Sequence, residues 1–146
     1  MTCKKKILFL CTGNSCRSQM AEGLANALRG DLIEAKSAGT KPQALNPYAV
    51  MVMRELGIDI SQNRSKSVEE LEERKFDFVV TVCDDAHEQC PLWPGRGKVV
   101  HHSFDDPPRL AAGLKDQAEI LGVYRRVRDE IRAYVEILPA KVENEL

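Results

Sequence analysis

Apolar positions along the chain follow two different periods. Strand-like runs at residues 5–10, 33–37, 76–83 and 98–104 predict strands. The third run contains Phe78, Val79, Val80 and Val82, the apolar and β-branched composition of a strand buried on both faces. Between the runs, apolar residues space out to the helical period. Residues 18–28 put Met20, Leu24, Ala27 and Leu28 on one stripe and stop before Gly30. Residues 46–56 open with Asn46 as a cap and Pro47 in the first turn, and close at Gly57. Residues 67–74 begin with a Ser67 cap and carry Val68 and Leu71. Residues 118–138 form the longest stripe, from Ile120 and Leu121 through Tyr124, Val127, Ile131 and Val135 to Leu138, ended by Pro139. Residues 141–146 read as a mobile tail.

Strands alternating with helices predict an α/β fold, a single domain over residues 1–146 with a parallel four-stranded sheet flanked by helices. Ligands collect at the carboxyl ends of such strands. Cys11 follows the first strand, Cys83 ends the third and Asp105 lies just beyond the fourth, so this topology directs three chemically loaded side chains to one rim.

The richest local signal is Cys11-Thr12-Gly13-Asn14-Ser15-Cys16-Arg17-Ser18, between the first strand and the first helix. Backbone N–H groups of such a loop, with the positive end of the following helix, converge on an oxyanion. The same field favours a thiolate at Cys11. Arg17 offers a planar fork that matches two oxygens of a tetrahedral oxyanion. Gly13 and Asn14 suit a tight loop. Ser18 is placed to bond the sulfur and to cap the helix. The candidate nucleophile is therefore Cys11, and the candidate substrate-binding residues are Thr12, Gly13, Asn14, Ser15, Cys16, Arg17 and Ser18.

Two further groups stand near that rim. Cys83 and Cys90 flank a polar stretch. If the stretch is helical, they lie two turns apart, about 10 Å along the axis, beyond disulfide reach unless the helix loosens. They are either a redox switch or two unrelated cysteines. In Asp105-Asp106-Pro107-Pro108, Asp105 is the candidate proton donor, because Pro107 restricts Asp106; an ordinary turn is the competing reading. Cys16 either packs under the loop or pairs protectively with Cys11. His87, His101, His102, Trp93 and Cys3 carry no assigned chemistry.

Composition narrows the classes. The chain has 146 residues, 43% hydrophobic and 29% charged, with net charge −1, which gives no reason to expect nucleic acid as a partner. The apolar run after Lys4–Lys6 is too short for a secretory signal, and no segment is long enough to span a membrane. A cytoplasmic monomer is expected. The five cysteines fit no zinc-ligand spacing, so no metal site is expected.

These residues resemble the thioredoxin-coupled arsenate reductases, which share the low-molecular-weight protein tyrosine phosphatase fold. The resemblance spans nearly the whole chain. It rests on the 11–23 segment, on Ser37-Ala38-Gly39-Thr40, on Cys83 and Cys90, and on Asp105-Asp106-Pro107. It implies that Cys11 attacks arsenic, that Arg17 and the loop amides hold the oxygens, and that Asp105 protonates the departing hydroxide. It further implies that Cys83 attacks Cys11 to release arsenite, and that Cys90 then attacks Cys83. Reduced thioredoxin would be the electron donor for the resulting disulfide, with no tightly bound cofactor and with phosphate or sulfate as oxyanion mimics. Some members bind potassium through residues matching Asn14, Glu22 and Ser37 together with oxygen ligands in the 64–66 region. Here that region reads Arg64-Ser65-Lys66, which puts potassium binding in doubt. The alternative function is a phosphatase acting on phosphotyrosine or another phosphomonoester, which needs only Cys11, Arg17 and Asp105. A third is an oxyanion-binding thiol sensor.

Overall fold

The computed structural model describes residues 4–83 and 93–144. The elements are β1 (Lys5–Cys11), α1 (Arg17–Leu28), β2 (Ile33–Gly39), α2 (Pro47–Arg54), β3 (Lys75–Thr81), β4 (Arg96–His101), α3 (Pro107–Ala111), α4 (Gln117–Glu136) and α5 (Ala140–Asn144). The sheet is parallel, in the order β2-β1-β3-β4. This is the single-domain α/β architecture expected. β1 is central, and its register pairs Cys11 with Gly39 on one side and Leu10 with Thr81 on the other. The carboxyl ends of three strands therefore meet around Cys11.

Alternation along β1 divides the core. Ile7, Phe9 and Cys11 face a large cluster with Met20 and Leu24 of α1, Val52 and Met53 of α2, and Tyr124, Val127, Ile131 and Val135 of α4. Leu8 and Leu10 face the opposite side, with Ala38, Val68, Phe76 and Val79. Both faces of β1 are thus desolvated, which explains its unbroken apolar run.

Three segments differ from expectation. Residues 67–74 do not form a full helix; a single 3-10 turn at Val68–Glu70 is closed by a reciprocal cap between Ser67 and Glu70. With only Val68 and Leu71 to bury among charged neighbours, the segment gains little from continuing. The expected tail is also partly structured, because Ala140–Asn144 is helical and Val142 is fully buried in the main cluster. One apolar residue with a tertiary partner orders a terminus that local composition marks as loose. Finally, α3 starts at Pro107, where the missing N–H costs nothing in the first turn. The Asn46 cap appears as expected, its side chain accepting from the amides of Tyr48 and Ala49. No helix among the described residues is long and apolar enough to cross a membrane.

Candidate active site

Cys11 ends β1 and lies almost wholly below the surface. The chain then turns through residues 12–16 into α1. This turn lies so close to the end of β2 that a Cβ at Gly39 would overlap the carbonyl of Thr12. Asn14 takes a left-handed conformation with φ 49°, the region that Asn tolerates better than most residues. That conformation points the Asn14 amide at Cys11 Sγ, at 3.2 Å.

Ser18 Oγ stands 2.9 Å from Cys11 Sγ and accepts from Asn14 Nδ2 at 2.9 Å. With its oxygen receiving Asn14, the Ser18 hydroxyl proton is left for the sulfur. The hydroxyl therefore serves the nucleophile and does not cap α1. Cys16 occupies the cap position with no side-chain cap bond, and the first intrahelical bond runs from Met20 N–H to Cys16 O. Amides earlier in α1 are left without an i−4 helical partner, as at any helix start.

Around the loop lies a cup of about 180 Å³ lined by Cys11, Thr12, Gly13, Asn14, Ser15, Cys16, Arg17, Gln43, Asp106 and Pro108. Six of the seven expected substrate-binding residues line it; Ser18 lies beneath, behind the sulfur. Arg17 is 6% exposed, with Nη1 donating to the carbonyls of Val82 (3.4 Å) and Phe104 (3.2 Å). The arginine is thus braced against the ends of β3 and β4, with Nη2 3.5 Å from Asp106 Oδ1. Thr12 Oγ1 is buried with no hydrogen-bond partner among the described residues.

The acidic pair is arranged opposite to expectation. Asp105 does not line the cup; its carboxylate is half exposed and 3.1 Å from Arg126 Nη2 on α4. Asp106 faces Arg17. The restriction that Pro107 imposes is what fixes Asp106 at the start of α3 with extended backbone.

Charge and burial oppose each other at Cys11. Burial pushes its thiol up from the ordinary value. The Ser18 hydrogen bond, the Asn14 amide and the Arg17 charge pull it down, in that order, and the net direction is up. Burial thus works against the thiolate that the loop's field favours. Burial pushes the Cys16 thiol up as well. Cys11 and Cys16 are both free thiols. Cys83, fully buried just beyond β3, is disulfide-bonded, and its partner is neither of them. Cys90 lies outside the described residues.

Behind the loop, the resemblance had marked Asn14, Glu22, Ser37 and the 64–66 region, but Gln19, which joins Asn14 to that region, was missed. Gln19 is fully buried and its Nε2 donates to Asn14 O, Asn14 Oδ1 and Arg64 O at 3.1–3.2 Å. Ser65 Oγ donates to Asn14 O at 2.6 Å, and the Lys66 amide donates to Asn14 Oδ1 at 3.0 Å. Nearby, Ser37 Oγ donates to Glu22 Oε1 at 2.8 Å, and Lys66 Nζ lies 3.8 Å from the same oxygen. Gln19 itself carried no advance signal beyond a polar residue in the first turn of α1.

Residues 6–146 match the family described as low molecular weight phosphotyrosine protein phosphatase. An arsenate reductase of Shouchella clausii is 49% identical over 132 residues, covering 90% of this chain and 93% of its own. Among solved structures, an arsenate reductase in the phosphate binding state superposes with a TM-score of 0.70 at 33% identity, covering 94% of this chain and 98% of the other. A low molecular weight protein tyrosine phosphatase from T. tengcongensis gives 0.69 at 31%, covering 94% and 99%.

Proposed function

The chain belongs to the low molecular weight phosphotyrosine protein phosphatase family, and within that family we propose that it reduces arsenate to arsenite by a relay of three thiols. The observation that carries the reading is the position of Cys11 at the floor of a cup braced by Arg17 and faced by Asp106, with a second cysteine, Cys83, at the adjoining strand end. The relatives named arsenate reductase support the same substrate.

Arsenate enters with its oxygens toward the loop amides, Arg17 and the Thr12 hydroxyl. The Cys11 proton passes to an arsenate oxygen as the anion binds, and Ser18 and the Asn14 amide stabilise the sulfur anion that results. Cys11 Sγ then forms a bond to arsenic. A hydroxide leaves as water with a proton from Asp106, the acid in place of Asp105. Cys83, as a thiolate, attacks Cys11 Sγ. The S–S bond forms, the As–S pair stays on arsenic, and As(V) leaves as As(III). Cys90 attacks Cys83 and frees Cys11, and reduced thioredoxin supplies two electrons to the Cys83–Cys90 disulfide. A Cys83 disulfide that leaves Cys11 free supports this ending.

A potassium ion does not fit the residues behind the loop. Asn14 Oδ1 already accepts from Gln19 and from the Lys66 amide, and the Lys66 ammonium faces the Glu22 carboxylate. In this reading Lys66 supplies the positive charge there.

The deciding experiment is anaerobic arsenate turnover with thioredoxin, thioredoxin reductase and NADPH, set against glutaredoxin with glutathione. Turnover with the first system alone is the expected result. Hydrolysis of phosphomonoesters without arsenate turnover would favour the phosphatase reading, for which Cys11, Arg17 and Asp106 suffice.

A further inference from the structure

Every carbonyl from Thr12 to Ser15 is tied by a donor from outside the loop. The amides of Lys41, Gln43 and Asn46 donate to Thr12 O, Gly13 O and Ser15 O, each at 2.9 Å. Asn14 O takes Gln19 Nε2 and Ser65 Oγ. These peptides are trans, and in a trans peptide the carbonyl and the next N–H point opposite ways. Each outward tie therefore turns the following amide to the other side. The tie on Gly13 O shows the effect, since the Asn14 amide then meets Cys11 Sγ at 3.2 Å. By the same geometry the tie on Ser15 O aims the Cys16 amide. That amide has no acceptor among the described residues, and Cys16 lines the cup.

The tie on Ser15 O is itself pinned from two helices. Asn46 Oδ1 accepts from the amides of Tyr48 (2.8 Å) and Ala49 (3.3 Å), which fixes it to the start of α2. Its Nδ2 is left as the donor, and it donates to the Tyr124 hydroxyl on α4 at 3.0 Å. Tyr124 is 2% exposed, and its ring packs on Tyr48 with centroids 5.2 Å apart. Burial pushes its hydroxyl up to about 12, so it stays a neutral partner at neutral pH. The Val127, Ile131 and Val135 side chains that share its face of α4 are apolar. A Phe would fill that cluster as well as a Tyr. Among the described residues, the one hydrogen bond of the Tyr124 hydroxyl is the one to Asn46.

We infer that Asn46 and Tyr124 are positioning residues for the cup, the Tyr124 hydroxyl holding Asn46 so that the Cys16 amide faces the bound oxyanion. This rests on the oxyanion site proposed above. Neither side chain lines the cup. Both act through the Ser15–Cys16 peptide. Their loss falls on oxyanion affinity and spares the Cys11 sulfur, which keeps Ser18 and the Asn14 amide.

The test reads binding in the full-length reduced protein. Protection of Cys11 from iodoacetamide gives the dissociation constant of inorganic phosphate. Tyr124→Phe removes the hydroxyl alone. Asn46→Ser keeps a capping oxygen for α2 and loses the donor to Tyr124. Each should raise the constant about fivefold, the effect of one hydrogen bond. The double variant should lose no more than the larger single loss, because both act through one bond. The pH midpoint of Cys11 alkylation without phosphate should stay at the parent's value. Val127→Ala opens a cavity in the same helix and should lower the melting temperature without moving the phosphate constant. Unchanged phosphate affinity in both single variants overturns the inference. So do losses that add in the double variant, a shifted midpoint in both single variants, or an equal loss in Val127→Ala. A parent that phosphate does not protect overturns it together with the oxyanion site. Constants that move as expected in a protein that never reduces arsenate sink the proposed reaction and leave the positioning pair standing.

Discussion

Arg17 faces Asp106 and not the neighbouring Asp105. Its Nη2 lies 3.5 Å from Asp106 Oδ1, while Asp105 is held 3.1 Å from Arg126 on α4. In extended chain successive side chains point to opposite sides, and Pro107 keeps Asp106 extended at the mouth of α3. Two adjacent carboxylates thus receive two tasks. One stands at the cup, and the other ties the loop to the long helix.

Asp106→Asn should slow formation of the Cys11 adduct by about 10²–10⁴-fold, the usual cost of losing a general acid. Asp105→Asn removes only an exposed ion pair, whose contribution is about 0–1 kcal/mol of stability, and should leave that step unchanged. Single-turnover quench of equimolar arsenate and enzyme separates the two. Slowing by Asp105→Asn alone would return the proton to Asp105.

The floor of the cup, residues 11–17, was legible in the sequence because its parts are contiguous. Strand, loop and helix start all fall between Ile7 and Leu28, and each has a local signature. Which carboxylate faces the cup was not legible, since choosing between Asp105 and Asp106 requires the direction of α3 and the reach of Arg126, which come from packing. Val142 shows the same limit: a single apolar residue in a charged tail is assigned a place only by the core it meets. Gln19 was invisible as a site residue because its partners lie on separate elements, and no local period links them.

Ser18→Ala tests the balance at Cys11. The Ser18 hydrogen bond is the largest influence pulling the thiol down against burial. Its loss should move the midpoint of iodoacetamide alkylation to higher pH and slow alkylation at neutral pH. A downward shift would mean that the hydroxyl does not stabilise the thiolate. The stability consequence has a definite sign. A thiol whose folded pKa is raised favours the folded state below its unfolded value, and that contribution is lost as pH rises toward the folded one. Thermal stability should therefore fall on the alkaline side of the ordinary thiol range, and less so in Cys11→Ser.

Lys66 gives a second electrostatic test. Its ammonium lies 3.8 Å from Glu22, and both side chains are largely covered. If this charge stands where a cation would, the parent should melt at the same temperature in potassium and sodium chloride of equal strength. Lys66→Asp would set a second carboxylate against Glu22, a like-charge pair that disfavours ionisation of both. Its melting temperature should fall by at least about 2–4 °C, the shift that 1 kcal/mol produces in a domain of this size. Added potassium should recover part of that loss. A parent stabilised specifically by potassium would remove Lys66 from this role.

Cys90→Ser separates the relay from any two-thiol scheme. With Cys11, Arg17, Asp106 and Cys83 intact, the first arsenate still forms its sulfur bond and still leaves as arsenite when Cys83 attacks Cys11. The resulting Cys11–Cys83 disulfide joins two sulfurs that both lie below the surface, at 3% and 0% exposure. A protein reductant needs an accessible sulfur for attack, so this disulfide should resist thioredoxin. About one arsenite per enzyme molecule is expected, followed by arrest, as the exchange stoichiometry requires. Mass spectrometry of the arrested protein should find Cys11 joined to Cys83. Cys83→Ser should instead stop before any arsenite is released, while hydrolysis of a small phosphomonoester, where the parent shows it, survives both changes. Sustained thioredoxin-driven turnover by Cys90→Ser would eliminate the third thiol and leave Cys11 and Cys83 as the whole of the redox machinery.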